Sequence, residues 1–142
     1  VKYLLDSDHL SIIQRPNSAE YIILTARMSV HPTTDFCASV VSFHEQTLGG
    51  HTRLNRAKRS ADLIRGYELL KDVLTVYAKS TVLPFDAAAA AALDGFKGLK
   101  LRCGMMDRRI AAIAVCRKLV LLTRNTSDFA GIPGLVVEDW TV

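Results

Sequence analysis

Five short runs rich in β-branched or aliphatic residues, near Lys2–Leu5, Phe36–Val41, Thr81–Phe85, Leu119–Thr123 and Leu135–Val137, are separated by stretches with helical patterning. Nothing else in the chain limits its fold so tightly. "HLSIIQR" and "SAEYIILTARM" follow the first run, "SFHEQTLG" follows the second, and a long amphipathic stretch extends from about Arg53 to Ala78. "DAAAAAALDGF" follows the third run and "DRRIAAIAVCRK" precedes the fourth. Strands alternating with helices need right-handed crossovers, which give a mainly parallel sheet covered on both faces. The class expected is α/β. A chain of 142 residues, 49% hydrophobic and 23% charged, fits one domain over residues 1–142 with an ordinary core.

That topology gives scattered acids a common address, because each strand ends at the sheet edge where the following helix begins. Asp6, in "YLLDSDHLS", ends the first run, Glu45 lies in the first turn after the second, and Asp86 follows the third. Asp107 opens the helix leading into the fourth run, and Asp128 follows that run after "TRNTS". All reach the carboxyl rim, the usual ligand side of an open α/β sheet. Their lateral closeness depends on strand order, which these residues alone do not give.

Each acid also has a local use. Asp6 or Asp8 suits an N-cap of the next helix. "SFHE" satisfies S-x-x-E, so Ser42 and Glu45 can form a capping box. Asp86 in "PFDAAAA" is read as an N-cap and no more, while Asp128 in "NTSDF" suits a turn as well as a site. Asp107 differs, being followed by Arg108 and Arg109, which are unfavourable in a first turn, and then by six apolar residues, "IAAIAV". A helix so apolar is buried nearly all round, so its acidic end faces something other than bulk water. If three or four carboxylates meet, each like-charge pair costs about 4 kcal/mol at ~4 Å and an effective dielectric near 20. Such a group takes up protons or hard cations, Mg²⁺ or Mn²⁺. Divalent ions there would orient an attacking water and stabilise a leaving oxygen, the chemistry of phosphodiester hydrolysis.

Other motifs are missing. There is no G-x-x-x-x-G-K-[ST] or G-x-G-x-x-G loop, the four histidines form no H-E-x-x-H pair, and Ser42 lies in no G-x-S-x-G elbow. Cys37, Cys103 and Cys116 are odd in number and lack C-x-x-C spacing, which argues against a disulfide framework and a thiolate zinc site. No apolar run approaches the ~20 residues of a membrane span, and acids occupy the N-terminal ten residues where a targeting segment would be basic. A soluble protein of the cytoplasm, with no membrane partner, is expected. The net charge of +4 is modest, but "RLNRAKRSADLIR" concentrates Arg53, Arg56, Lys58, Arg59 and Arg65 beside Leu54, Ala61 and Ile64 as a face to bury. This is either a solvated helix face or a phosphate-contacting patch.

"YLLDSDHLS", "ASVVSFHEQTLG", "LPFDAAAAAAL", "MMDRRIAAIAV" and "LLTRNTSDFAGIPGLVVEDW", in this order, resemble the PIN-domain ribonucleases, most closely the VapC toxins of bacterial toxin–antitoxin pairs. The likeness spans nearly the whole chain, and the last two segments are the most specific. It implies a PIN-like three-layer fold in which Asp6, Glu45, Asp107 and Asp128 stand side by side as catalytic and metal-binding residues. The fourth acid of the family falls either directly after "TR" or a little further on; the first position is Asn125 here, so Asp128 takes the role and Asn125 assists. Thr123 would hold a carboxylate or the scissile phosphate, and Asp8 would be a secondary contact. The resemblance further implies Mg²⁺ or Mn²⁺, a homodimer, and a small antitoxin whose C-terminal segment occupies the groove. The function expected is a Mg²⁺-dependent endoribonuclease, with Arg108, Arg109 and the Arg53, Arg56 and Arg59 cluster guiding the RNA backbone. A DNA nuclease on the same scaffold and a non-catalytic module clasping a partner's arginines are the other readings.

Overall fold

Successive residues of a strand face opposite sides of its sheet, and in three strands of this protein both sides are buried. The computed structural model describes residues 1–142. In chain order the elements are β1 (Tyr3–Leu5), α1 (Ser7–Ile13), α2 (Ala19–Met28), a 3-10 turn (Thr33–Asp35), β2 (Phe36–Ser39), α3 (Val40–Asn55), α4 (Ser60–Ala78), β3 (Val82–Leu83), α5 (Ala87–Asp94), α6 (Met105–Arg117), β4 (Val120–Leu122) and β5 (Val136–Glu138). Leu4, Cys37 and Leu121 join one core with Ala89 and Phe96 and the buried face of α6, Ile110 to Ala114. Their neighbours Leu5, Ala38 and Leu122 join a second core with Leu10, Leu24, Val73, Tyr77 and Trp140. One layer of helices covers each face, as expected for an α/β chain.

The sheet is parallel throughout, in the order β3-β2-β1-β4-β5. Tyr3 lies opposite both Phe36 of β2 and Val120 of β4, so β1 is central. The chain builds outward from β1 to β3, then returns to the other side of β1 for β4 and β5. The direction of winding therefore reverses between β1 and β4, and a crevice opens outside the carboxyl ends of these two strands.

All five expected strands are present, with two departures in the helices. Val40 and Val41 belong to α3 and not to β2, because the Ser39 hydroxyl accepts from the Ser42 N–H at 3.0 Å and starts the helix there. The long amphipathic helix expected from Arg53 to Ala78 is two helices. α3 ends at Asn55, and α4 restarts after Arg59, whose N–H donates to Asp62 Oδ2 at 3.3 Å. Leu54, Ala61 and Ile64 are consequently not one buried face, since Leu54 is half-buried on α3 while Ala61 and Ile64 are exposed on α4.

The α3–α4 hairpin closes through glycines. A Cβ on Gly66 would lie 2.4 Å from Leu54 Cδ2 and 2.8 Å from its Cγ, whereas a Cβ on Gly49 would meet nothing within 4 Å. Gly66→Ala should therefore lower unfolding free energy by about 1–3 kcal/mol through overpacking. Gly49→Ala should raise it by up to about 1 kcal/mol through helix propensity. Urea titrations of both variants check the pair, and equal shifts would contradict this packing.

Candidate active site

Four acids reach the crevice by different local routes. Asp6 follows β1 directly; its N–H donates to the Leu122 carbonyl at 3.0 Å, so the β1–β4 ladder runs into this residue. It is also the N-cap of α1, where Oδ1 accepts from the His9 N–H at 2.8 Å. The cap leaves Oδ2 without a protein hydrogen-bond partner, on a side chain only 8% exposed. The cap read for Asp6 is therefore made with one oxygen, and the other stays free.

Glu45 stands in the second turn of α3, not the first, and the capping-box reading of Ser42 with Glu45 does not hold. Ser39 provides the cap, Ser42 is already inside the helix, and Glu45 is free to face α1. Its Oε1 accepts from the Ser7 hydroxyl. Gln46 braces the same contact, its Nε2 donating to the Ser7 carbonyl at 3.1 Å and to Ser11 Oγ at 3.2 Å.

Asp107 is the third residue of α6, whose N-cap, Gly104, has no side chain to cap with. The carboxyl reaches back to the Gly104 N–H, which favours its charged form, yet its pKa is raised. Burial is the largest cause, followed by the charges of Glu45 and Asp6, with Asp128 adding less. The charges of the other three acids thus all reach Asp107. Asp128 sits half-buried in the turn after β4, its N–H donating to the Asn125 carbonyl at 3.0 Å. Asp86 stays apart as a cap of α5, pairing with Arg117 at 2.8 Å.

The secondary residues divide. Thr123 is fully buried and its Oγ1 accepts from the Asn125 N–H at 3.1 Å, which shapes the β4 loop. Asn125 is exposed on that loop. Asp8 pairs with Arg124 at 3.6 Å. Arg108 is occupied elsewhere: Nε donates to the Cys103 carbonyl at 3.1 Å and Nη2 to the Leu101 carbonyl at 3.2 Å, tying down the loop before α6. A guanidinium with two carbonyl partners is a structural brace, and only its Nη1 is left without a protein partner. Arg109 is half-buried beside Met106. Arg53 and Arg56 line a cleft of about 540 Å³ with Thr52, Asp62 and Arg65, and Arg59 lies at the hinge next to it, 3.8 Å from Asp62. Sequence reasoning assigned no site role to Ser7, His9 or Gln46, whose contacts around Glu45 and Asp6 are seen only in the folded chain.

The donor set is all carboxylate oxygen, with no thiolate or imidazole among the four acids, and that chemistry fits a hard divalent cation. Burial pushes the Cys37 thiol up to about 11, against any thiolate role. No three His, Cys, Asp or Glu side chains converge tightly enough here to share one ion. The acids are gathered but not closed around a point, and Glu45 is held by Ser7.

The molecule is an α/β domain whose parallel sheet carries acids at the carboxyl edge where its winding reverses. The comparisons with known proteins agree. The chain is 27% identical to the tRNA(fMet)-specific endonuclease VapC of Salmonella typhimurium over 140 residues, covering 99% of this chain and 98% of that protein. It is 29% identical to the protein of the same name from Shigella flexneri over 109 residues, 74% and 75% of the two chains. Among solved structures, DNA-bound VapBC from Salmonella typhimurium superposes with a TM-score of 0.75 at 26% identity, covering 99% of this chain and 98% of the other. VapBC-1 from nontypeable Haemophilus influenzae has the same TM-score at 19% identity, covering 100% of both chains, a likeness of fold. No protein-family model matches. The resemblance to PIN-domain proteins of the VapC type is borne out along the whole chain.

An acid whose folded pKa is raised binds more protons folded than unfolded near that pKa. Its strain is absent below the unfolded pKa and grows as pH rises through the folded one. At neutral pH, Asp107→Asn should therefore raise the melting temperature of the metal-free protein, and the gain should shrink as pH falls towards the ordinary carboxylate range. Calorimetric scans at two pH values check this; a lower melting temperature at pH 7 would contradict the crowding.

Proposed function

We propose that this chain is a divalent-metal-dependent endoribonuclease, the toxin of a toxin–antitoxin pair, with transfer RNA as its substrate class. The reading rests chiefly on one observation: Asp107 lies in the combined field of Glu45, Asp6 and Asp128 at the carboxyl edge of the sheet. The names of the two VapC relatives supply RNA and, more narrowly, tRNA. The VapBC structures support an antitoxin as partner. A homodimer belongs to the same proposal.

On this reading Asp6 Oδ2, Glu45, Asp107 and Asp128 hold Mg²⁺ or Mn²⁺, which when bound would activate an attacking water and offset charge on the leaving oxygen. The protein's own part is positional. Ser7 and Gln46 fix Glu45 relative to α1, the Leu122 carbonyl fixes Asp6 relative to β4, and the Thr123 turn sets the loop that carries Asn125 and Asp128. Arg53, Arg56 and Arg59 remain candidates for the phosphate backbone, as does Arg109. Arg108 does not, being held on backbone carbonyls.

Asp6→Asn and Asp107→Asn should each reduce tRNA cleavage about 100-fold or more, the scale of losing one electrostatic stabiliser of a transition state. Chelation should abolish cleavage and Mg²⁺ or Mn²⁺ restore it, with DNA oligonucleotides left intact under the same conditions. Gel assays of the purified protein decide; full cleavage by both variants would overturn the site, and preference for DNA would overturn the substrate.

A further inference from the structure

His9 is a buried group that the proposed chemistry leaves unused. Its side chain is 0% exposed on the inner face of α1, and neither Nδ1 nor Nε2 has a hydrogen-bond partner. Leaving a buried polar atom unpaired is destabilising, so an apolar residue would fill this space more cheaply. What sets the imidazole apart is its neighbour. Nδ1 lies 3.4 Å from Asp6 Oδ1, the oxygen that accepts from the His9 backbone N–H at 2.8 Å. Two nitrogens of one residue thus face one carboxylate oxygen, and the other oxygen is left to the crevice.

We propose that His9 is a positioning residue for Asp6. Its Nδ1–H stands beside Oδ1, off the line of a hydrogen bond, and its partial positive charge biases the plane of the carboxylate so that Oδ2 is left for the cation. This rests on the reading of the crevice as a metal site. The chemistry sets the tautomer: a lone pair on Nδ1 would face the lone pairs of a carboxylate oxygen at 3.4 Å, so the hydrogen belongs on Nδ1. The separation is longer than an ordinary N–H···O hydrogen bond. At rest the contact is therefore mainly electrostatic, while the backbone N–H provides the firm hydrogen bond. A histidine three residues after an N-cap acid can make both contacts because the helix carries its side chain back over its first turn.

Two measurements test this, neither of them an activity assay. Long-range ¹H–¹⁵N correlation of the metal-free protein, with His9 assigned by loss of its signals in His9→Asn, should show hydrogen on Nδ1. Calorimetric titration with Mn²⁺ should show binding about 10–100-fold weaker in His9→Leu, the usual effect of losing a group that orients a metal ligand. His9→Asn, whose amide N–H can stand near the place of Nδ1, should recover most of it. A His9 bearing hydrogen on Nε2 alone would overturn the proposal, as would a cooperatively melting His9→Leu that binds Mn²⁺ within about twofold of wild type. If His9→Leu does not fold, the tautomer and the His9→Asn affinity decide. Failure of the underlying site looks different: Mn²⁺ binding unchanged in Asp6→Asn would remove the site itself, whereas binding lost in Asp6→Asn but kept in His9→Leu would remove only the role of His9.

Discussion

The pairing of β1 with β4 is the contact on which the rest of the molecule depends. It joins the first strand to one more than a hundred residues later, and its last hydrogen bond, Asp6 N–H to the Leu122 carbonyl, fixes a carboxylate at the point where the winding of the sheet reverses. With β4 placed elsewhere, Asp6 would cap a helix at the end of an unremarkable strand. The same pairing draws in α6, which must start at the carboxyl rim to deliver the chain into β4, so that Asp107 arrives beside Asp6. Glu45 comes from the other side, on the helix after β2. Three acids from separate parts of the chain thus share one opening because of strand order, not through any local attraction between them.

Attraction is indeed absent. The pKa of Asp107 is raised by burial first and by the charges of Glu45, Asp6 and Asp128 after it, so its ionised form is held at a cost. Apolar burial elsewhere bears that load: Leu4, Leu121 and Ile110 to Ala114 on one face, Leu5, Leu122 and Leu10 on the other, none more than a few per cent exposed. A domain's net stability is only about 5–15 kcal/mol, so the core has little to spare. Such strain makes sense where a cation relieves it, and the oxygen-only donor set suits a hard one.

The strands and their residue alternation were legible in the chain, because Leu4–Leu5 and Leu121–Leu122 carry the pattern of strands buried on both faces. The rim address of the acids was legible too, since it follows from α/β connectivity alone. Strand order was not. Nothing in residues 1–6 or 119–123 says that these segments are neighbours, and only the resemblance to PIN domains implied it. The helix boundaries failed for local reasons: Ser39 outcompeted Ser42 as a cap, and Arg59 with Asp62 restarted a helix that composition alone would continue. Nor was the bracing use of Arg108 legible, since its partners, the carbonyls of Leu101 and Cys103, are set by the path of the loop before α6.

Capping and a site role had looked like alternatives for these acids, and the geometry differs between them: at Asp6 the cap leaves one oxygen free, while for Glu45 a capping box would have used up the side chain. A carboxylate has two oxygens, and an N-cap engages one of them, in a direction set by the helix axis. At Asp6 that direction leads to the His9 N–H, so the cap orients the group without closing it to the crevice. For Glu45 the capping box would have turned the side chain back onto the start of its own helix. Moving the cap one turn earlier, to Ser39, releases it, and Ser7 then draws it across to α1. Capping orients a site when the capping acid begins the helix, and competes with it when the acid must fold back from within.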